Sequence, residues 1–116
     1  MPRDEIFWTG HPWLVVRDFP FTETRAAAVI TRRFSHDADV EDLTWHRDLH
    51  DRRVRILEAR GWYLQFDDEL PVPLTPESVH YIPAGAWHRV VKRSDCSDLV
   101  IEITECPAHG VSVSAL

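Results

Sequence analysis

The stretch YIPAGAWHRV, Tyr81 to Val90, sets a proline and a glycine two positions apart between two short apolar runs. Pro83 has no N–H and suits a turn or the start of a strand, and Gly85 lets the chain bend sharply. His88 then begins a strand in which His88 and Val90 share one face.

Working outward from that turn, the chain breaks into further short runs. AAAVITRRF (26–34) is rich in β-branched and aromatic residues, and VRILEA (54–59) and GWYLQF (61–66) are parted only by Arg60-Gly61. WHRVV (87–91) and DLVIEIT (98–104) are two more. Turn clusters lie between them at Ser35–Asp42, Asp67–Glu69, Thr75–Ser78 and Ser94–Ser97. Trp62, Leu64 and Phe66 alternate with Tyr63 and Gln65, and Leu99, Ile101 and Ile103 alternate with Val100, Glu102 and Thr104. A helix would spread these apolar residues around its cylinder, so the period is that of strands. Eight prolines, mostly in the connections, also oppose long helices. Regularly spaced short strands in a chain of this size imply a β-sandwich or small barrel.

Composition narrows the function classes. The 116 residues allow one domain, and 44% hydrophobic content with five Trp argues for a folded globule. A net charge of −6, with Arg32-Arg33 and Arg52-Arg53 interleaved among acids, offers no basic stripe for nucleic acid. No run approaches the roughly 20 apolar residues of a membrane span, and the start lacks an export segment. Cys96 and Cys106 are expected to be reduced thiols in a cytoplasmic protein. Four unclustered glycines exclude a phosphate-cradling loop, and no nucleophile elbow is present.

The region from about Ala28 to Glu105 resembles the small single-domain cupins, which are double-stranded β-helix (jelly-roll) barrels. YIPAGAWHRV is similar to their second motif: Pro83, Gly85 and His88 fall on the pattern, while Glu77 stands where a leading glycine is usual. VRILEARGWYLQF (54–66) is similar to the strand and turn that leave the first motif, with Ala59 in place of the usual glycine. The resemblance implies an all-β cupin barrel over residues 26–106, with 1–25 as an N-terminal arm or edge strand and 107–116 as a C-terminal tail.

In that family the first motif supplies two histidines and a glutamate which, with the later histidine, hold a divalent metal. Counting back from ILEA places His46 on the first histidine, Asp48 on the second and Arg52 on the glutamate. TWHRDLHD (44–51) reads as the strand that would carry them. On a strand, positions 46, 48 and 50 project to one side about 6–7 Å apart. His46, Asp48 and His88 then make two imidazoles and a carboxylate, the composition of a facial triad for Fe(II) or a similar ion, with His50 as a possible fourth ligand. Arg52 opposes this. A guanidinium about 5 Å from a divalent ion, at an effective dielectric near 20, meets roughly 7 kcal/mol of repulsion. Either Arg52 turns away, or it pairs with Asp48 in a metal-free pocket suited to an anion.

Bland alternatives stand beside these. His46 and His88 read equally as hydrogen-bonded histidines lining a barrel that has lost its ligand set, Asp48 as a turn acid or Arg52 partner, and His50 as polar surface. His80 reads as structural. Tyr63 and Gln65 could face the pocket with Arg52, but parity alone does not say which face of 61–66 is inside. The expectation is a small cytoplasmic cupin, by resemblance a homodimer, with Phe7, Trp8 and Trp13 covering a shared sheet. It would hold a divalent metal (Fe, Mn, Ni or Zn) and a small organic ligand, as an oxygenase, isomerase or lyase. The competing expectations are a metal-free binder of an anionic metabolite, or a structural or regulatory barrel without activity; neither nucleic acid nor membrane is an expected partner.

Overall fold

A computed structural model of the chain describes residues 20–106. Its strands are β1 (Phe21–Ala26), β2 (Val29–Phe34), β3 (Arg52–Glu58), β4 (Trp62–Phe66), β5 (Val72–Pro73), β6 (Val79–Ile82), β7 (His88–Lys92) and β8 (Leu99–Glu105), with one 3-10 turn at Val40–Asp42. They form two antiparallel sheets, β1-β2-β8-β3-β6 and β5-β4-β7. The expected tail 107–116, most of the expected N-terminal arm, and Phe7, Trp8 and Trp13 lie outside the described residues.

The period-2 alternation builds the interior. Ile30 and Phe34 on β2, Val54 and Ile56 on β3, and Leu99, Ile101 and Ile103 on β8 point into one core with Trp62 and Leu64 of the second sheet. Each fully buried aliphatic or aromatic side chain is worth about 1.5–3 kcal/mol, so the two facing sheets are held mainly by this layer. Trp62 also donates its Nε1–H to Ser97 O at 2.7 Å, leaving no polar atom of the ring stranded in the core.

Two local readings change. Residues 26–34 are not one strand: Ala26 pairs with Val29 across a two-residue turn, with Ala27 at φ 55, so β2 starts at Val29. TWHRDLHD is not a strand either. His46 makes a single antiparallel bridge to His88, with reciprocal backbone hydrogen bonds of 2.9 Å, and regular pairing resumes only at Arg52. Between them, Asp48 O accepts from Gly85 N at 2.9 Å and the Asp51 carboxylate accepts from Ala84 N at 2.7 Å. The segment is thus stitched to the Pro83–His88 turn, which presents few strand-like partners of its own.

Candidate metal centre

The bridge between His46 and His88 brings two imidazoles from distant parts of the chain together, with ring centroids 4.2 Å apart. His88 opens β7 and is buried, whereas His46 is exposed at the rim of the same cavity. Asp48, two residues beyond His46, turns its carboxylate inward to the pair. One nitrogen of each ring and one oxygen of Asp48 all lie within 4.8 Å of one another.

The hydrogen bonds of the two rings fix which nitrogens keep a lone pair. His88 Nδ1 lies 2.8 Å from Ala86 O, and His46 Nδ1 lies 3.2 Å from Thr44 O. A carbonyl can only accept, so each Nδ1 carries the proton and each neutral ring keeps its lone pair on Nε2. Such backbone anchoring of the remote nitrogen is the usual way a ligating histidine is oriented. His88 Nε2 lies 3.4 Å from Asp48 Oδ2 without hydrogen-bond geometry, and that oxygen is buried with no hydrogen-bond partner among the described residues. Two donors about 2.1 Å from a common ion at a tetrahedral angle are about 3.4 Å apart, which this pair matches. Although the residue is exposed at the rim, desolvation of the ring where it faces the cavity, followed by the neighbouring His88, lowers the His46 pKa, which favours the neutral form a cation needs. The residues present therefore fit a divalent ion: two imidazoles and a carboxylate, with no thiolate among them.

No protein-family model and no curated protein matches the sequence. Among solved structures, a chain from the structures of the DMSP lyases RdDddP and RnDddQII aligns over 71% of this chain and 40% of that one, at TM-score 0.55 and 17% identity. Fe(II) HppE aligns over 74% of this chain and 48% of its own, at TM-score 0.58 and 6% identity. A cupin domain from Bordetella pertussis Tohama I aligns over 74% and 91%, at TM-score 0.52 and 21% identity. The chain has a cupin fold. The likeness is one of architecture, and the chain spans less than half the length of the lyase and HppE chains.

Within the cupin barrel a cavity of about 580 Å³ opens beside the three donors. Its walls combine aliphatic residues such as Ile56, Leu64 and Leu74 with aromatic ones, and its polar liners include Arg32, Arg52 and His80. Arg52 faces this interior, where two carboxylates offset its charge in part. Its Nη2 and Nε bond Glu105 Oε2 at 2.7 and 3.1 Å, and its Nη1 lies 3.3 Å from Asp48 Oδ1. Arg52 thereby grips the Asp48 oxygen opposite to the orphaned one. Arg32, from β2, is buried, donates to Glu23 at 2.6 Å and stacks on the Phe21 ring 4.2 Å away.

Three of the sequence-level candidates are not brought to this cavity. His50 is exposed at a bend, because the chain leaves the extended course after Asp48 and the two-residue parity ends there. Tyr63 and Gln65 alternate with Leu64, whose face of β4 lines the cavity, and so they point the other way. Gln65 instead donates to Glu69 O at 3.2 Å and accepts from Arg89 Nε at 3.0 Å. Conversely, the cavity takes in Trp45, Trp87 and His80, which sequence reading did not assign to it. The signal for His80 was available: Ile82, two residues on, is apolar and buried, so His80 shares its inward parity.

Proposed function

We propose that this chain binds one divalent cation through His46 Nε2, His88 Nε2 and a carboxylate oxygen of Asp48, and takes a small organic molecule in the adjoining cavity. The observation that carries this reading is Asp48 Oδ2, a buried and unbonded carboxylate oxygen turned to an imidazole lone pair. Two electron-rich atoms so placed repel one another unless a cation or a proton lies between them. A bound ion would supply Lewis acidity toward a ligand oxygen and, if it were iron, access to O₂ chemistry. The chain's own residues orient the donors: Thr44 O and Ala86 O hold the two rings, and Arg52 holds Asp48 Oδ1. Leu64 and Ile101 give the cavity apolar wall against which the carbon skeleton of a small molecule could pack.

The competing metal-free reading requires Arg52 to meet an anionic ligand. Glu105 and Asp48 already offset that guanidinium, so an anion would have to displace a carboxylate to reach it. Metal analysis decides the matter. The full chain, purified without chelator and dialysed against Fe(II), Mn(II), Ni(II) or Zn(II), should carry close to one equivalent of at least one of them. Stoichiometry near zero with all four ions defeats this function.

A further inference from the structure

His80 is a half-buried histidine that the metal-binding reading does not use. It lies on edge strand β6 opposite Val54 of β3, and the next inward pair along the two strands is Arg52 with Ile82. Successive inward positions on a strand are about 6–7 Å apart. His80 therefore stands one inward step along the wall from the row that contains Arg52, and it lines the same cavity.

Its proton is located by a relay. Ser78 Oγ donates its hydrogen to Thr75 O at 2.6 Å, since a carbonyl cannot donate. The Ser78 oxygen must then accept from His80 Nε2, 3.0 Å away, so the ring carries its proton on Nε2. Burial lowers the His80 pKa, which keeps the ring neutral near pH 7. Nδ1 is left with a lone pair and no hydrogen-bond partner among the described residues. Val54, its register partner, and Ile82, the next inward residue of β6, line the same cavity beside it. A valine or leucine would pack this inward position without the desolvation that an imidazole costs, and the half-buried ring instead offers the cavity a hydrogen-bond acceptor.

We propose that His80 is the second polar anchor of the cavity, accepting through Nδ1 a hydrogen bond from a hydroxyl group on a small carboxylic acid whose carboxylate lies at the His46–Asp48–His88 cluster. This placement rests on the metal-binding reading for the carboxylate end and on the Ser78 relay for the other. It gives the cavity a preference for hydroxy acids over plain alkanoates of equal length.

The test uses the full chain with nitrogen-15-labelled histidines. NMR should find His80 protonated on Nε2 and bare on Nδ1; the opposite tautomer overturns the proposal. The probes are hydroxy-terminated carboxylates from glycolate to hydroxyvalerate, each against the alkanoate with methyl in place of hydroxyl. With Zn(II) bound, at least one hydroxy acid should bind about three- to tenfold tighter than its methyl partner, the worth of one net neutral hydrogen bond. The His80 Nδ1 resonance should move with it. The preference should vanish in His80→Leu, whose side chain suits the apolar wall, and weaken in Ser78→Ala, which frees the tautomer. Equal affinities at every length, or a preference that survives His80→Leu, overturn the proposal. Zinc uptake is measured on the same samples. If it is absent, the metal reading fails separately, and the Nδ1 shift on the metal-free chain still decides the role of His80: movement with hydroxy acids alone supports it, no movement overturns it.

Discussion

Asp48 Oδ2 faces His88 Nε2 at 3.4 Å, buried and without a hydrogen bond, while the other oxygen of the same carboxylate lies 3.3 Å from Arg52 Nη1. One side of the group is compensated and the other awaits a cation. At a free-ion concentration a hundredfold above Kd, binding to the folded chain alone adds about 2.7 kcal/mol. For a domain of this size that raises Tm by roughly 10–20 °C. Asp48→Asn should abolish the rise while leaving metal-free stability within about 1 kcal/mol of the parent, because the amide relieves the unbonded oxygen as it weakens the Arg52 contact. Thermal melts with and without Zn(II) check both halves; a full metal-induced rise in Asp48→Asn would remove Asp48 from the ligand set.

Arg52 sets a trade-off between the stability of the metal-free barrel and metal affinity. Its guanidinium ties β3 to β8 through Glu105 and restrains Asp48, yet its charge opposes an ion at the neighbouring donors. Arg52→Gln should therefore destabilise the metal-free chain by about 2–3 kcal/mol, as expected for removing one partner from a largely buried pair. It should also tighten Zn(II) binding at least about tenfold, or about 1.4 kcal/mol. Denaturant titration and calorimetry measure the two effects separately. A metal affinity that stays level would show that the charge is fully neutralised by Glu105 and Asp48.

Acid should unfold the metal-free chain in two stages. Burial and then His88 hold the His46 pKa below 6.5, and the Arg52 hydrogen bond holds the Glu105 pKa below 4.5. In both cases the unfolded chain binds protons more readily than the fold, so these contributions are whole at higher pH and are lost as pH falls. The His46 part begins to disappear below about pH 6.5 and the Glu105 part below about pH 4.5. Urea unfolding across a pH series should show the lower slope flatten in Arg52→Gln and the upper one flatten in part in His46→Gln, the remainder belonging to His80, whose pKa burial also lowers. An unchanged lower slope in Arg52→Gln would mean that other carboxylates govern acid unfolding.

Much of the barrel was legible because one physical rule writes it. Alternation placed Leu99, Ile101 and Ile103 together, and Pro83 and Gly85 marked the turn before His88. The rule stopped where regular pairing stopped. His46, Asp48 and His50 share parity only on a continuous strand, and the single bridge at His46 followed by a bend sends His50 to the surface. The face of β4 was likewise undecidable from Trp62 to Phe66 alone, since aromatic and polar residues alternate there on either assignment. Only packing against the five-stranded sheet puts Leu64 inside and Tyr63 and Gln65 outside. His80 reads as structural from the sequence because an imidazole in an apolar strand is tolerated, and only the Ser78 contact shows which nitrogen carries the proton.

Glu77 shows how a departure from a motif can be read as energy. It occupies the position where a leading glycine is usual in the resembling family, and its backbone takes φ 70, a left-handed conformation that costs a side-chain-bearing residue about 1–2 kcal/mol. Its carboxylate meets Arg55 Nη1 at 2.9 Å, but both groups are solvent-accessible and water screens such a pair to a small contribution. Glycine would remove the backbone strain at the expense of about 0.4–1 kcal/mol of extra unfolded-state entropy. Glu77→Gly in the parent should therefore be close to neutral. In an Arg55→Ala background, where no ion pair remains to be lost, the same substitution should stabilise by about 0.5–1 kcal/mol, because only the strain relief and the entropy term are left. Ala27→Gly, at φ 55 in the β1–β2 turn with no ion pair to lose, should gain a similar amount in the parent chain. Urea midpoints for the three pairs of proteins measure these differences. Loss of stability on Glu77→Gly in the Arg55→Ala background would show that the glutamate side chain contributes through contacts other than its salt bridge.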